Sequence, residues 1–103
     1  MSTENATKIK VIVELQAKPS KRTELKHLLE SVATTLGPTE PGFLGSTRYE
    51  VLDNPDIVIE IADWVSVDVR AAAMQQALTS GAYAPLEELL AAPFRATVIR
   101  QLL

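Results

Sequence analysis

In the run Ile57-Val58-Ile59-Glu60-Ile61-Ala62-Asp63-Trp64, a carboxylate and the chain's only tryptophan stand four positions apart. Even spacing on an extended strand puts both side chains on one face. Burial there would raise the pKa of Glu60 and suit it to act as a general base for a phenolic proton. The plain alternative is that Glu60 pairs with Arg48 or Arg100 across the sheet. Trp64 offers a flat apolar wall and one N–H donor to an aromatic molecule, or it is simply core at a strand end. Tyr49 and Tyr83 can line a cavity and orient a substrate oxygen, or sit at a rim. Val69, Ala72, Ala73, Gln76 and Ala77 share one side of a helical stretch, where Gln76 would be a buried amide needing partners. The alanines either let that helix lie close to the sheet or leave space beneath it. Together with Met74 and Arg48 these residues are the candidate pocket, since small-molecule sites are mostly apolar with a few polar groups.

Composition closes off several other chemistries. There is no cysteine, which excludes disulfides, iron–sulfur clusters and thiol catalysis. The single histidine, His27, falls opposite the apolar stripe of its helix and reads as a solvated surface residue. With carboxylates alone left to build one, no metal site is expected. The net charge of −3 gives no clustered basic surface for phosphate, and aromatics for stacking bases are few, so no nucleic acid is expected. The start lacks an apolar segment behind a basic one, and no apolar run approaches bilayer length. A soluble, cytoplasmic protein with no membrane association is the expectation.

The elements that position these residues follow from local patterning. Residues 1–7 read as a disordered tail and residues 8–103 as one domain, a size suited to a single core. Lys8 to Leu15 alternates, with Ile9, Val11, Val13 and Leu15 on one side, and is rich in β-branched residues, so it reads as a strand. Lys18-Pro19-Ser20 breaks it, with Ser20 as the expected helix N-cap. From Lys21 to Leu36, Leu25, Leu28, Leu29, Val32, Ala33 and Leu36 form one helical stripe, and Gly37-Pro38 ends it, with Gly37 placed as a cap. A second strand runs from Phe43 to Leu52 with a bulge expected at Gly45. Asp53-Asn54-Pro55-Asp56 closes a hairpin into a third strand, Ile57 to Trp64. Val67 to Thr79 is a second helix, and a short helical piece from Tyr83 to Ala91 carries Pro85 in its first turn. Phe94 to Leu103 is the closing strand. The order βαββαβ predicts an α+β, ferredoxin-like fold: a four-stranded antiparallel sheet with its helices on one face.

Helices on one face leave the other to water, where a monomer would be polar. Here both faces carry apolar side chains. Ile57, Ile59 and Ile61 oppose Val58, Ala62 and Trp64, and Ile12 and Ile99 lie against the majority pattern of their strands. At roughly 25 cal/mol per Å², covering a few hundred Å² contributes several kcal/mol, so a homodimer packed sheet against sheet is expected.

The run Val11-Ile12-Val13-Glu14-Leu15-Gln16-Ala17-Lys18-Pro19-Ser20-Lys21-Arg22-Thr23-Glu24-Leu25 resembles the opening of the antibiotic-biosynthesis monooxygenase family. So do Glu40-Pro41-Gly42-Phe43, the Asp53-Asn54-Pro55 turn and the strand end Asp63-Trp64-Val65-Ser66. The resemblance covers about Lys8 to Leu103. It implies a dimeric α/β barrel, and it implies either cofactor-independent monooxygenation of a phenolic or quinol-type ring by O₂, or small-molecule binding without turnover. No cofactor is implied. It also places Trp64 at a pocket-lining position and Tyr83 at an aromatic position after the second helix. The family's haem-degrading branch uses a first-strand Asn and a second-helix His; here Val13 stands at the first, and no histidine follows His27, which argues against haem chemistry. Other relatives carry histidines where this chain has Ala77 and Ala82, so the easiest proton shuttle near neutral pH is missing.

Overall fold

A computed structural model describes residues 8–35 and 37–102. The tail expected over residues 1–7, and the places of Leu36 on the helical stripe and of Leu103 on the closing strand, lie outside the described residues. The elements are β1 (Ile9–Gln16), α1 (Arg22–Thr35), a 3₁₀ turn (Gly37–Thr39), β2 (Phe43–Glu50), β3 (Ile57–Trp64), α2 (Val67–Ser80), α3 (Ala84–Leu89) and β4 (Arg95–Ile99). The strands form one sheet in the order β2-β3-β1-β4, with every neighbouring pair antiparallel. This is the ferredoxin-like α+β fold that the element order predicts.

Strand alternation becomes burial directly. Ile9, Val11 and Leu15 of β1 and Val58, Ala62 and Trp64 of β3 are buried on the helix side. The register sets Ile9 opposite Trp64, Val11 opposite Ala62 and Leu15 opposite Val58. On the other face, Ile12 lies opposite Ile61 on β3 and Thr97 on β4, and Ile59 lies between Glu14 and Tyr49. The bulge in β2 falls between Phe43 and Gly45, and Gly45 has φ +132°, which a residue without Cβ adopts freely. The hairpin turn is held by the Asn54 side chain, which accepts the Asp56 N–H at 3.2 Å, while the Ile57 N–H reaches the Asn54 carbonyl.

Two helix boundaries differ from the sequence reading. Ser20 does not cap α1: it has φ +66°, and its hydroxyl donates to the Pro19 carbonyl at 2.6 Å. The chain instead turns into α1 through the Lys21 N–H, which donates to Lys18 O. Gly37 opens the 3₁₀ turn rather than adopting a left-handed cap. Its role is steric, since a Cβ there would stand 3.0 Å from the Phe43 ring. α2 is capped as a helix should be. Ser66 Oγ accepts the Val69 N–H at 3.2 Å, and Gly81 (φ +74°) ends the helix in the left-handed region.

The core is divided. Leu15, Ala17, Leu25, Leu29, Val58 and Leu90 pack under α1 and α3. Ile9, Val11, Ala62, Trp64 and Ala73 pack under α2. Val13 touches both groups, and the residue paired with it across β1–β3 is Glu60.

Candidate active site

A cavity of about 240 Å³ opens where the two core groups fail to meet. Its floor is the sheet: Val11, Val13 and Leu15 of β1, Ser46 of β2, and Glu60, Ala62 and Trp64 of β3. One wall is α1, through Leu28, Leu29, Val32 and Ala33; the opposite wall is α2, through Arg70, Ala73, Met74 and Ala77. Tyr83, Leu86 and Phe94 close one side and Phe43 with Glu40 another. The opening exists because α2 presents alanine at 73 and 77, where larger side chains would reach the sheet.

Trp64 is 6% exposed, a member of the second core group and part of the cavity lining. The Phe43 ring meets it edge-on, with centroids 5.2 Å apart and planes at 66°, which fixes the indole plane. Glu60 lies on the same face of β3. Arg48, its cross-strand neighbour on β2, stands 3.6 Å away. The side chains are 21% and 25% exposed, and Arg48 also donates to Ser46 Oγ at 3.1 Å. Burial pushes the Glu60 carboxyl above the ordinary carboxylate value; the Arg48 charge and hydrogen bond oppose this without cancelling it. Of the two arginines considered as partners for Glu60, the structure places Arg48 beside it.

Tyr83 and Met74 also line the cavity, and the Tyr83 hydroxyl donates to Met74 Sδ at 2.7 Å. The Tyr83 ring stacks at a tilt on Phe94, with centroids 5.6 Å apart. Burial raises the Tyr83 phenol, with the nearby Arg70 charge pulling the other way.

Three candidate pocket residues fall elsewhere. Tyr49 is 51% exposed on the sheet face away from the helices. Gln76 is exposed and not a buried amide, because α2 is rotated from the expected orientation: Val69, Arg70, Ala73, Met74 and Ala77 turn inward while Ala72 and Gln76 face out. Arg48 stands behind Glu60 rather than in the cavity lining. Conversely, sequence reasoning missed Arg70 and Glu40. For Arg70 a signal existed: it precedes Ala73, Met74 and Ala77 by three, four and seven positions, the spacing of one helix face. Its charge concealed it in a helix whose small residues point every way.

Ala77 and Ala82 both line the cavity. Its titratable groups among the described residues are therefore Glu40, Glu60, Arg70 and Tyr83. Among the described residues no group of three or more His, Asp or Glu side chains can hold a metal ion, and no helix is long and apolar enough to cross a membrane.

The profile of the antibiotic biosynthesis monooxygenase family matches residues 8–88. No curated protein matches the chain. Among solved structures, a conserved protein from Methanosarcina mazei is similar, with a TM-score of 0.81, 21% identity and coverage of 98% of this chain and 99% of that one. Rv0793 from Mycobacterium tuberculosis gives 0.77 at 23% identity, covering 93% and 96%. A variant of SnoaB, a cofactor-independent oxygenase from Streptomyces nogalater, gives 0.77 at 16% identity, covering 92% and 93%. At these identities the structural likenesses establish the fold alone.

Proposed function

The chain belongs to the antibiotic biosynthesis monooxygenase family, and from that premise we propose that it is a cofactor-independent monooxygenase acting on a small phenolic or quinol-type ring. The observation that supports this reading is the convergence of Glu60 and Trp64 on one apolar cavity. An apolar cavity of about 150 Å³ holds benzene, so 240 Å³ suits a ligand of one or two fused rings.

Mechanism follows from the side chains present. Glu60, whose proton affinity burial has raised, takes the phenolic proton. The ring anion passes electron density to O₂, and a C–O bond forms at the ring carbon para to the oxygen. Loss of that carbon's hydrogen and cleavage of the O–O bond release one oxygen atom as water. The other remains as a quinone carbonyl. A 1-naphthol and O₂ thereby give a 1,4-naphthoquinone and water, with the substrate as the reductant. Trp64 and Phe43 hold the ring plane, and the apolar walls exclude water from the anion.

Oxygen uptake with 1-naphthol and anthrone provides the test. The expected result is equimolar consumption of O₂ and substrate without hydrogen peroxide release. Glu60→Gln should slow the reaction by on the order of 10²–10⁴-fold, and Trp64→Phe should slow it while preserving the fold. Folded protein with no uptake across the panel overturns the proposal.

The lack of a cavity histidine among the described residues favours a second reading, a binding protein without turnover. Aromatic ligands would then raise the melting temperature with no oxygen consumed. Either activity fits the homodimer proposed through the outer sheet face, where Ile12, Ile57, Ile59, Ile61 and Ile99 form an apolar surface.

A further inference from the structure

Arg70 lines the cavity, and the preceding reaction makes no use of its charge. Ser66 fixes the first turn of α2 from both sides. Its hydroxyl accepts the Val69 N–H, and its carbonyl accepts the Arg70 N–H at 3.2 Å. That register turns Arg70 inward with Ala73, Met74 and Ala77. The Arg70 side chain is half-buried, and its Nε is fully buried with no hydrogen-bond partner among the described residues.

A buried donor left without a partner is unfavourable, and more so on a charged group. The cavity's carboxylates do not relieve it. Glu60 is engaged by Arg48, and neither Glu60 nor Glu40 forms an ion pair with Arg70. Most of the cavity lining is apolar, which gives a bridging water few of the two to four polar partners it needs. A guanidinium presents its N–H groups as a planar fork that matches anionic oxygen.

We infer that Arg70 is a binding residue for an anionic oxygen on the ring that occupies the cavity, so that the ligand class is a small aromatic acid or ionised phenol. This rests on the reading of the cavity as the substrate site. Arg70 orients the ring by its charged end while the apolar walls take its faces. A carboxylate and a phenolate share this chemistry, and the two are separable by pH.

Calorimetric titration of the full chain with 1-naphthoate, 1-naphthol and the neutral 1-naphthalenemethanol provides the test, comparing wild type with Arg70→Met and Arg70→Lys. Wild type should bind naphthoate more tightly than the neutral alcohol at pH 7. Arg70→Met should weaken naphthoate by on the order of 10-fold or more while leaving the alcohol unchanged, and Arg70→Lys should recover part of the loss. If the phenolate is the natural form, 1-naphthol should tighten as pH rises through its ionisation in wild type and not in Arg70→Met. Equal affinity for charged and neutral rings, or an equal loss of both in Arg70→Met, overturns the assignment. Arg70→Gln, which also removes the charge, carries the same comparison if the methionine variant does not fold. Charge-selective binding without oxygen uptake leaves Arg70 in this role and removes the oxygenase. Uptake unaltered in Arg70→Met does the reverse, and failure of every ring to bind removes both.

Discussion

Glu60 and Arg48 face each other across β2 and β3 at 3.6 Å, and the carboxylate's proton affinity is nevertheless raised. Desolvation between buried Val58 and Ala62 outweighs the attraction of its partner. The pair is a half-buried base held in place by a cation, with an apolar cavity in front of it.

A consequence for stability follows. Because the folded pKa lies above the ordinary value of 4.5, ionising Glu60 opposes folding. Its favourable contribution is complete below the unfolded pKa and is lost as pH rises through the folded one. The melting temperature of Glu60→Gln minus that of wild type should therefore increase from pH 4 toward neutrality. Parallel thermal melts check this; a difference that shrinks with rising pH contradicts the burial account.

Gly42 is the tightest backbone position on the approach to the site. It has φ +82°, its carbonyl accepts the Val65 N–H at 2.9 Å, and a Cβ there would stand 2.4 Å from Val69 Cγ1 and 2.8 Å from Val65 Cγ2. Gly42→Ala should cost about 2–5 kcal/mol from strain and overpacking combined. Urea titration reads it as a lower midpoint with an unchanged slope. The same change at Gly81, where nothing lies within 4 Å of the added Cβ, should cost less, since only the backbone conformation is strained.

The outer sheet face offers a third prediction. Ile61 lies at its centre, with Ile12 on one side and Thr47 on the other. Sedimentation of wild type at micromolar concentration should give twice the 11.2 kDa chain mass. Ile61→Lys should give a folded monomer, because a charge there loses the roughly 1.5–3 kcal/mol of a buried isoleucine from each subunit and adds desolvation. A wild-type monomer, or a lysine variant that stays dimeric, removes this interface.

Much of the molecule is legible in its amino acids because the relevant forces are local. Alternation in Ile9–Leu15 and Ile57–Trp64 decides which side chains enter the core, and this alone places Glu60 and Trp64 on one face. The Asp53–Asp56 turn and the Gly45 bulge follow from backbone preferences that a few residues carry by themselves. The expected Ser20 cap fails because Lys18 and Lys21 close the same turn through backbone atoms, leaving the serine hydroxyl to its own neighbour.

What only tertiary structure decides is the orientation of α2 and the space beneath it. Alanine on several sides gives that helix no strong apolar stripe, so packing against the sheet chooses the face. It turns Arg70 inward and Gln76 outward. The cavity has the same origin: it is the volume that two separately well-packed core groups leave between them, and no short stretch of sequence specifies a gap between distant residues.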